Sequence, residues 1–448
     1  MPSTKLKPAS APSELFLSDP DSTCEISLHL VTTWNERSKK PLLYVGRSEA
    51  EIQAIRRDLA TLALAMRVAL FPPWDCLPYD RYSPTRAAMG ERVATLASLL
   101  DAKRPPNVVL TTFDSIMQRV PPRSKVALSF ELSPNQPVDM DDLALRLRTF
   151  GYRLDDRVDE PGEAVLRGYV VDIFPPGFAE PVRIEHQDGI IQSLRRYDPV
   201  SQRGTREIER LLNRPAPGWV DEAEPDRGRG EPGREHRLPE IYPALETLFD
   251  YSEFQAVVLG PEAQERMDAI ADRTLNAYET RLSMRSKHEE TRPLPPERLY
   301  LGAGETRAIL ARQSMLNLEF DENRASQSPV PAFSRERRPI VKLADWTKER
   351  VSDGYRVVVA LSRPRDLERL RRALDVPSNA IRTVSGWREV EDAEPGTVAV
   401  LAGELSRGII DPQRKIALVG TADILGSRAK TAGSAGASRA ATEWTEAH

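Results

Sequence analysis

Between Pro181 and Tyr197 the chain reads PVRIEHQDGIIQSLRRY, with apolar and charged side chains alternating at a period of two. A helix would scatter such a pattern around its axis, whereas a strand gathers it onto two opposite faces. Val182 and Ile184 then share one face, and Arg183 and Glu185 share the other. Asp188-Gly189 supplies the tight turn of a hairpin, because both residue types tolerate positive φ. Upstream, RGYVVDIFPPG (167–177) reads as a further β-rich run, with Tyr169, Ile173 and Phe174 expected in the core. Arg167, Arg183 and Glu185 are left on strands where they do not pack, which makes them candidates for contact with something outside the chain.

The flanking sequence has a different grammar. PLLYVGRSEAEIQAIRRDLATLA gives a buried strand, a glycine, and Ser48 with Glu51 three residues on, a capping box that opens an amphipathic helix. VVLTTFDSIMQRV (108–120) repeats strand, turn and helix, and two such units predict a parallel α/β lobe. A Pro- and aromatic-rich loop leads into a helix carrying Val93, Leu96 and Leu100. Residues 213–238 are dense in Pro, Gly and charge and read as a linker too poor in apolar residues to pack. AVVL near 256 reads as a strand, with a helix after Pro261. GYRVVVALSRPRDLERLRRAL, GTVAVLAGELSRGII and RKIALVGTADIL predict a second, smaller α/β domain before a tail of Ala, Gly, Ser and Thr.

Length allows two to four domains for 448 residues. The formal net charge of -4 argues against a general nucleic-acid binder. Cys24 and Cys76 form no closely spaced pair and read as reduced thiols of a cytoplasmic protein. No apolar run reaches the ~20 residues of a membrane span. The string G-x-x-x-x-G-K-[ST], which surrounds phosphate with backbone N–H groups, does not occur, and Gly46 is followed by RSEAE, which aims carboxylates where phosphate would sit. DEAE at 221–224 lies in the polar linker and reads as solvated charge rather than a Mg²⁺ site. The five histidines have no metal-ligand spacing, and Gly-x-Ser-x-Gly is absent. No catalytic residue, cofactor or metal is expected, and the chain reads as one that binds rather than transforms.

RGYVVDIFPPG, PVRIE and DGIIQSLRRYDPVSQR resemble the insert domain shared by the excision-repair helicase UvrB and the N-terminal region of the transcription-repair coupling factor (Mfd) family. WDCLPYDRYSPTRAAMGERVATLASLL, TTFDSIMQRVPP, LETLFDY and PLPPERLYL look like the coupling factor rather than the helicase, and the likeness runs with gaps from about 40 to about 428. The resemblance implies a degenerate helicase-like parallel α/β lobe without an ATP site, an inserted β-rich domain that docks on UvrA, and a second smaller α/β domain. It implies that Arg167 and Arg183 contact UvrA, with Glu185 either pairing a basic group there or holding Arg183 in its rotamer. Gln187 completes the expected contact set, although family members often carry aromatic residues where this chain has His186 and Gln187, a change expected to weaken docking.

The expected division is 1–39 unassigned, 40–125 the first part of the lobe, 126–204 the insert, 205–335 the second part of the lobe with its linker, 336–428 the small domain and 429–448 a flexible tail. Family members continue into an RNA-polymerase-binding domain, a translocase and a regulatory domain, which this sequence does not match. A UvrA-binding module of excision repair is the leading expectation, with contact to coupling-factor motor domains also admitted. A truncated or decayed gene product and a weak or indirect DNA binder are the alternatives. Arg183→Glu is expected to abolish complex formation while leaving folding intact.

Overall fold

The computed structural model describes residues 13–36, 40–216, 233–284, 292–321, 329–376 and 381–426. The DEAE run, the tail 429–448 and the start of segment 1–39 lie outside these residues. Strands are numbered along the chain: β1 (Ser13–Leu17), β2 (Leu42–Gly46), β3 (Val68–Phe71), β4 (Val108–Thr112), β5 (Phe130–Leu132) and β6 (Arg153–Leu154). Next come β7 (Glu163–Arg167), β8 (Val170–Ile173), β9 (Val182–Gln187), β10 (Ile190–Tyr197), β11 (Gly204–Glu207) and β12 (Leu211–Asn213). The remainder are β13 (Ala256–Leu259), β14 (Met315–Phe320), β15 (Arg356–Leu361), β16 (Arg382–Val384), β17 (Val398–Ala402), β18 (Ile409–Asp411) and β19 (Ile416–Val419). The chain divides into two units, one built from 1–68, 255–261 and 314–448 and the other from 69–254 and 262–313.

In the first unit β1, β14, β13 and β2 pair in that order, all parallel. Every residue of β2 (LLYVG) and of β13 (AVVL) is buried, as strands covered on both faces require. Helix α1 spans Thr23–Glu36 and α2 spans Glu49–Leu62. Ser48 caps α2 as expected, its hydroxyl accepting the Glu51 N–H at 3.3 Å. The return bond differs from a capping box, because the Glu51 carboxylate reaches one residue further and accepts the Arg47 N–H at 2.7 Å.

The same unit holds a second sheet, ordered β16-β17-β15-β19-β18, parallel except for the β18–β19 pair. Leu343, Val357, Val359, Leu367, Leu370, Val400 and Val419 form its core. A buried polar cluster ties α1 and α2 to the turn after β17. The Asp58 carboxylate accepts from the Thr23 hydroxyl (2.6 Å), the Ser406 N–H (2.8 Å) and the Ser406 hydroxyl (2.7 Å). Thr61 donates to the Glu404 carbonyl at 2.6 Å, and a Cβ on Gly403 (φ +149) would lie 2.4 Å from the Thr61 hydroxyl oxygen, so only glycine fits.

The second unit contains β3, β4, helix α3 (Arg86–Leu99) and a six-stranded sheet ordered β11-β10-β9-β8-β7-β6. The run after β4, expected to continue as a helix, forms a single turn, Phe113–Ile116. One face of the six-stranded sheet packs Val171, Ile173, Val182, Ile184, Ile191 and Leu194 against Leu143 and Leu147 of the helix Met140–Thr149. The structure corrects the reading of 213–238 at both ends. Asn213 and Ala216 are buried, and so are His236 and Leu238, while 217–232 lie outside the described residues.

His236 meets Trp74 edge-on at 5.1 Å between centroids and stacks on Tyr79 at 6.4 Å. Burial pushes its pKa down from 6.5 to about 4, because the water lost by the charged ring outweighs the opposing effects of the Tyr82 backbone hydrogen bond and the Asp80 carboxylate. The unfolded chain takes up this proton at the ordinary value, so the contribution is intact above 6.5 and is lost as pH falls from 6.5 towards 4. At pH 5 the loss is about 2 kcal/mol. Urea denaturation of wild type and His236→Gln at pH 7.5 and pH 5 should show the stability gap between them shrinking by about that amount at the lower pH. A gap unchanged by pH would contradict it.

Candidate functional site

Two tight turns fix the sheet that carries the candidate residues. Gly168 (φ +51) opens the turn between β7 and β8, where Arg167 stands opposite Val170. Asp188 (φ +51) and Gly189 (φ +75) both take positive φ between β9 and β10, where Gln187 stands opposite Ile190, as a type I′ hairpin demands. A register shift between Ile191 and Ser193 of β10 lies between the turn and the cross-strand rows. Arg167, Val170, Glu185 and Ser193 form one row, and Val165, Asp172, Arg183, Arg195 and Glu207 form the next.

Along β9 burial alternates as the period of two foretells. Val182, Ile184 and His186 point into the core, while Arg183, Glu185 and Gln187 share the opposite face. The structure therefore brings Arg167, Arg183, Glu185 and Gln187 onto one face of the sheet. They are not equivalent, however. Arg167 is exposed at the end of β7 and its guanidinium forms no ion pair or hydrogen bond among the described residues. Arg183, whose side chain is 30% exposed, is held within the sheet. Its Nε and Nη2 donate to the two carboxylate oxygens of Asp172 at 2.8 Å each, and Nη2 also donates to Gln202 Oε1 at 2.9 Å. The guanidinium carbon lies 4.4 Å from the centre of the Tyr197 ring. The hydrogen bonds to Asp172 raise the Arg183 pKa further above its already high value.

Four expectations are corrected by this geometry. Glu185 does not hold Arg183; it accepts the Ser193 hydroxyl at 3.0 Å, and the carboxylate that holds Arg183 is Asp172, directly opposite on β8. Arg183→Glu would therefore set one carboxylate against another and would not leave the fold untouched. Tyr169 is not core, since it occupies the outward turn and is 73% exposed, whereas Ile173 and Phe174 are buried. His186 belongs to the buried face, so its identity does not alter the surface that Gln187 presents. Sequence reasoning missed Asp172, Tyr197 and Gln202, whose roles arise from register and from the turn after β10. The Asp172 position was visible in RGYVVDIFPPG, but no single strand reveals which residue faces which.

Elsewhere the chemistry is sparse. Beside Gly46 the Glu51 carboxylate fills the space over the strand end, with Oε2 2.5 Å from where a Cβ on that glycine would sit. Its pKa is raised by burial. Among the described residues no group of His, Cys, Asp and Glu is placed to hold a metal ion, and no helix is long and apolar enough to cross a membrane.

Residues 130–218, which contain this whole sheet face, match the UvrB interaction domain. The chain is 26% identical to the transcription-repair-coupling factor of Haemophilus influenzae over 425 residues, which are 85% of this chain and 35% of that protein. A coupling factor of Myxococcus xanthus is 33% identical over 181 residues, 39% of this chain and 15% of that protein. The UvrABC system protein B of Kosmotoga olearia is 27% identical over 198 residues, 41% of this chain and 29% of that one. The chain thus spans about a third of the length of the Haemophilus influenzae coupling factor. Its mixed α/β architecture, with parallel sheets and a β-rich segment that matches the UvrB interaction domain, resembles the N-terminal region of the transcription-repair-coupling factors.

Proposed function

We propose that this chain is a protein-binding module of nucleotide excision repair that docks on UvrA through the outer face of β7–β10 and performs no chemistry of its own. The observation that carries this reading is the single solvent-facing array of Arg167, Glu185 and Gln187, with Arg183 beside them, inside the segment that matches the UvrB interaction domain. Arg167 offers a planar fork of donors with no internal partner among the described residues, and it keeps its charge at any cellular pH. Arg183 is different in kind: Asp172 and Tyr197 fix its rotamer before any partner arrives, so less side-chain freedom is lost on docking. Glu185 adds an acceptor and Gln187 a neutral donor and acceptor at the hairpin end. Such a surface suits a partner patch of mixed charge, acidic opposite Arg167 and basic opposite Glu185, in the cytoplasm where repair takes place.

Calorimetric titration of the chain with UvrA tests the reading. Arg167→Glu, at an exposed position, is expected to leave the melting temperature unchanged and to weaken binding by about 2 kcal/mol, roughly thirtyfold. Arg183→Ala is expected to weaken binding and also to lower stability by about 1 kcal/mol, because it leaves Asp172 without its bidentate partner. A folded wild-type chain that does not bind UvrA, or an Arg167→Glu chain that binds as well as wild type, would contradict the proposal.

A further inference from the structure

We propose that the cavity between α3 and the loop after β8 binds a small aromatic carboxylic acid, its ring among the apolar side chains and its carboxylate on Arg214. The cavity measures about 240 Å³ and is lined by Val93 and Ala94 of α3, the loop from Pro175 to Phe178, Leu212 of β12, and Arg214. Its walls are built rather than accidental. Gly177 (φ +77) lets the loop rest directly on α3, since a Cβ there would lie 2.3 Å from the Ala94 Cβ. Pro175 and Pro176 fix the backbone just before that contact, so the loop resists collapse into the space beside it. Leu212 is an exposed apolar side chain, so the cavity is open to solvent. None of the residues assigned to the β7–β10 docking face lines it, and the inference stands apart from that reading.

Size and charge together select the ligand. An apolar cavity of about 150 Å³ holds a benzene ring, so this one takes a single ring with a short arm, and it falls short of the ~300 Å³ at which pockets for larger ligands begin. Arg214 is the one charged residue of the lining, and its guanidinium forms no ion pair or hydrogen bond among the described residues. Burial lowers its pKa, with Asp101 opposing more weakly. A second guanidinium, that of Arg196, lies 4.8 Å from the centre of the Phe178 ring, and its Nε is buried without a partner. The cavity therefore offers an apolar body a home and leaves a half-buried cationic fork without its acceptor. A carboxylate meets that fork with two parallel hydrogen bonds. A phosphate would bring more charge and more bound water into a lining that is otherwise apolar.

Methyl NMR of the full chain, titrated with 3-phenylpropionate and separately with the neutral 3-phenylpropanol, tests the site. The acid is expected to shift the methyl signals of Val93, Ala94 and Leu212 with a Kd of about 1 mM or below. It should bind at least about tenfold more tightly than the alcohol, a preference that Arg214→Gln, checked for folding by a thermal melt, should lose. The comparison of acid with alcohol on the wild-type chain reads the same contact without any substitution. Absence of shifts at those three methyls with the acid well above the expected Kd would overturn the site. Equal binding of acid and alcohol would overturn the role of Arg214 and with it the proposed ligand class.

Discussion

The register of β8, β9 and β10 governs everything that the outer face presents. Asp188 and Gly189, both at positive φ, set Gln187 opposite Ile190, a register shift between Ile191 and Ser193 of β10 then brings Arg195 opposite Arg183, and the β8–β9 ladder sets Asp172 on its other side. A slip of one residue would drive Arg183 and Glu185 into a core now filled by Val182 and Ile184, and would expose those apolar residues to water. The turn fixes the pairing at the hairpin tip, and the shift between Ile191 and Ser193 lets both Ile191 and Leu194 face the core. The polar face inherits its order from both.

Within that frame the Asp172–Arg183 pair does more for geometry than for stability. Both side chains are partly in contact with water, and a pair of that kind contributes about 1 kcal/mol at most after screening. Its bidentate form is what matters, since two parallel N–H···O bonds and the Tyr197 ring leave the guanidinium one orientation. The face thus keeps one arginine locked and another, Arg167, exposed at the neighbouring hairpin tip. The locked residue shapes the face, and the exposed one carries donors with no partner among the described residues.

Much of this was legible in the sequence where the signal is local. The alternation of β9 placed Arg183 and Glu185 on one face, Asp188-Gly189 gave the turn, and Ser48 gave the start of α2. Signals that depend on distant partners were not legible. β14 (MLNLEF) owes its place to β1 and β13, its parallel neighbours, and β1 lies in a segment with no recognisable motif. Asn213 and His236 sit in a stretch whose composition reads as linker, yet neighbours brought in from elsewhere bury them. Tyr169 was misplaced for a related reason: it keeps the parity of Val171 and Ile173 and its ring lies near that of His186, but alternation says nothing about where a strand turns, and at the hairpin end the ring is exposed. The partner of Arg183 was hidden because pairing belongs to two strands at once.

The most direct measurement places a photo-crosslinkable residue at the position of Gln187, on the outer face, or at that of Leu145, exposed on the helix that packs against the inner face. Irradiation in the presence of UvrA should give a covalent adduct from the first chain and none from the second, since only the outer face would lie against the partner. An adduct from position 145 with none from position 187 would mean that UvrA approaches the opposite side of the domain, and the assignment of the docking face would be wrong.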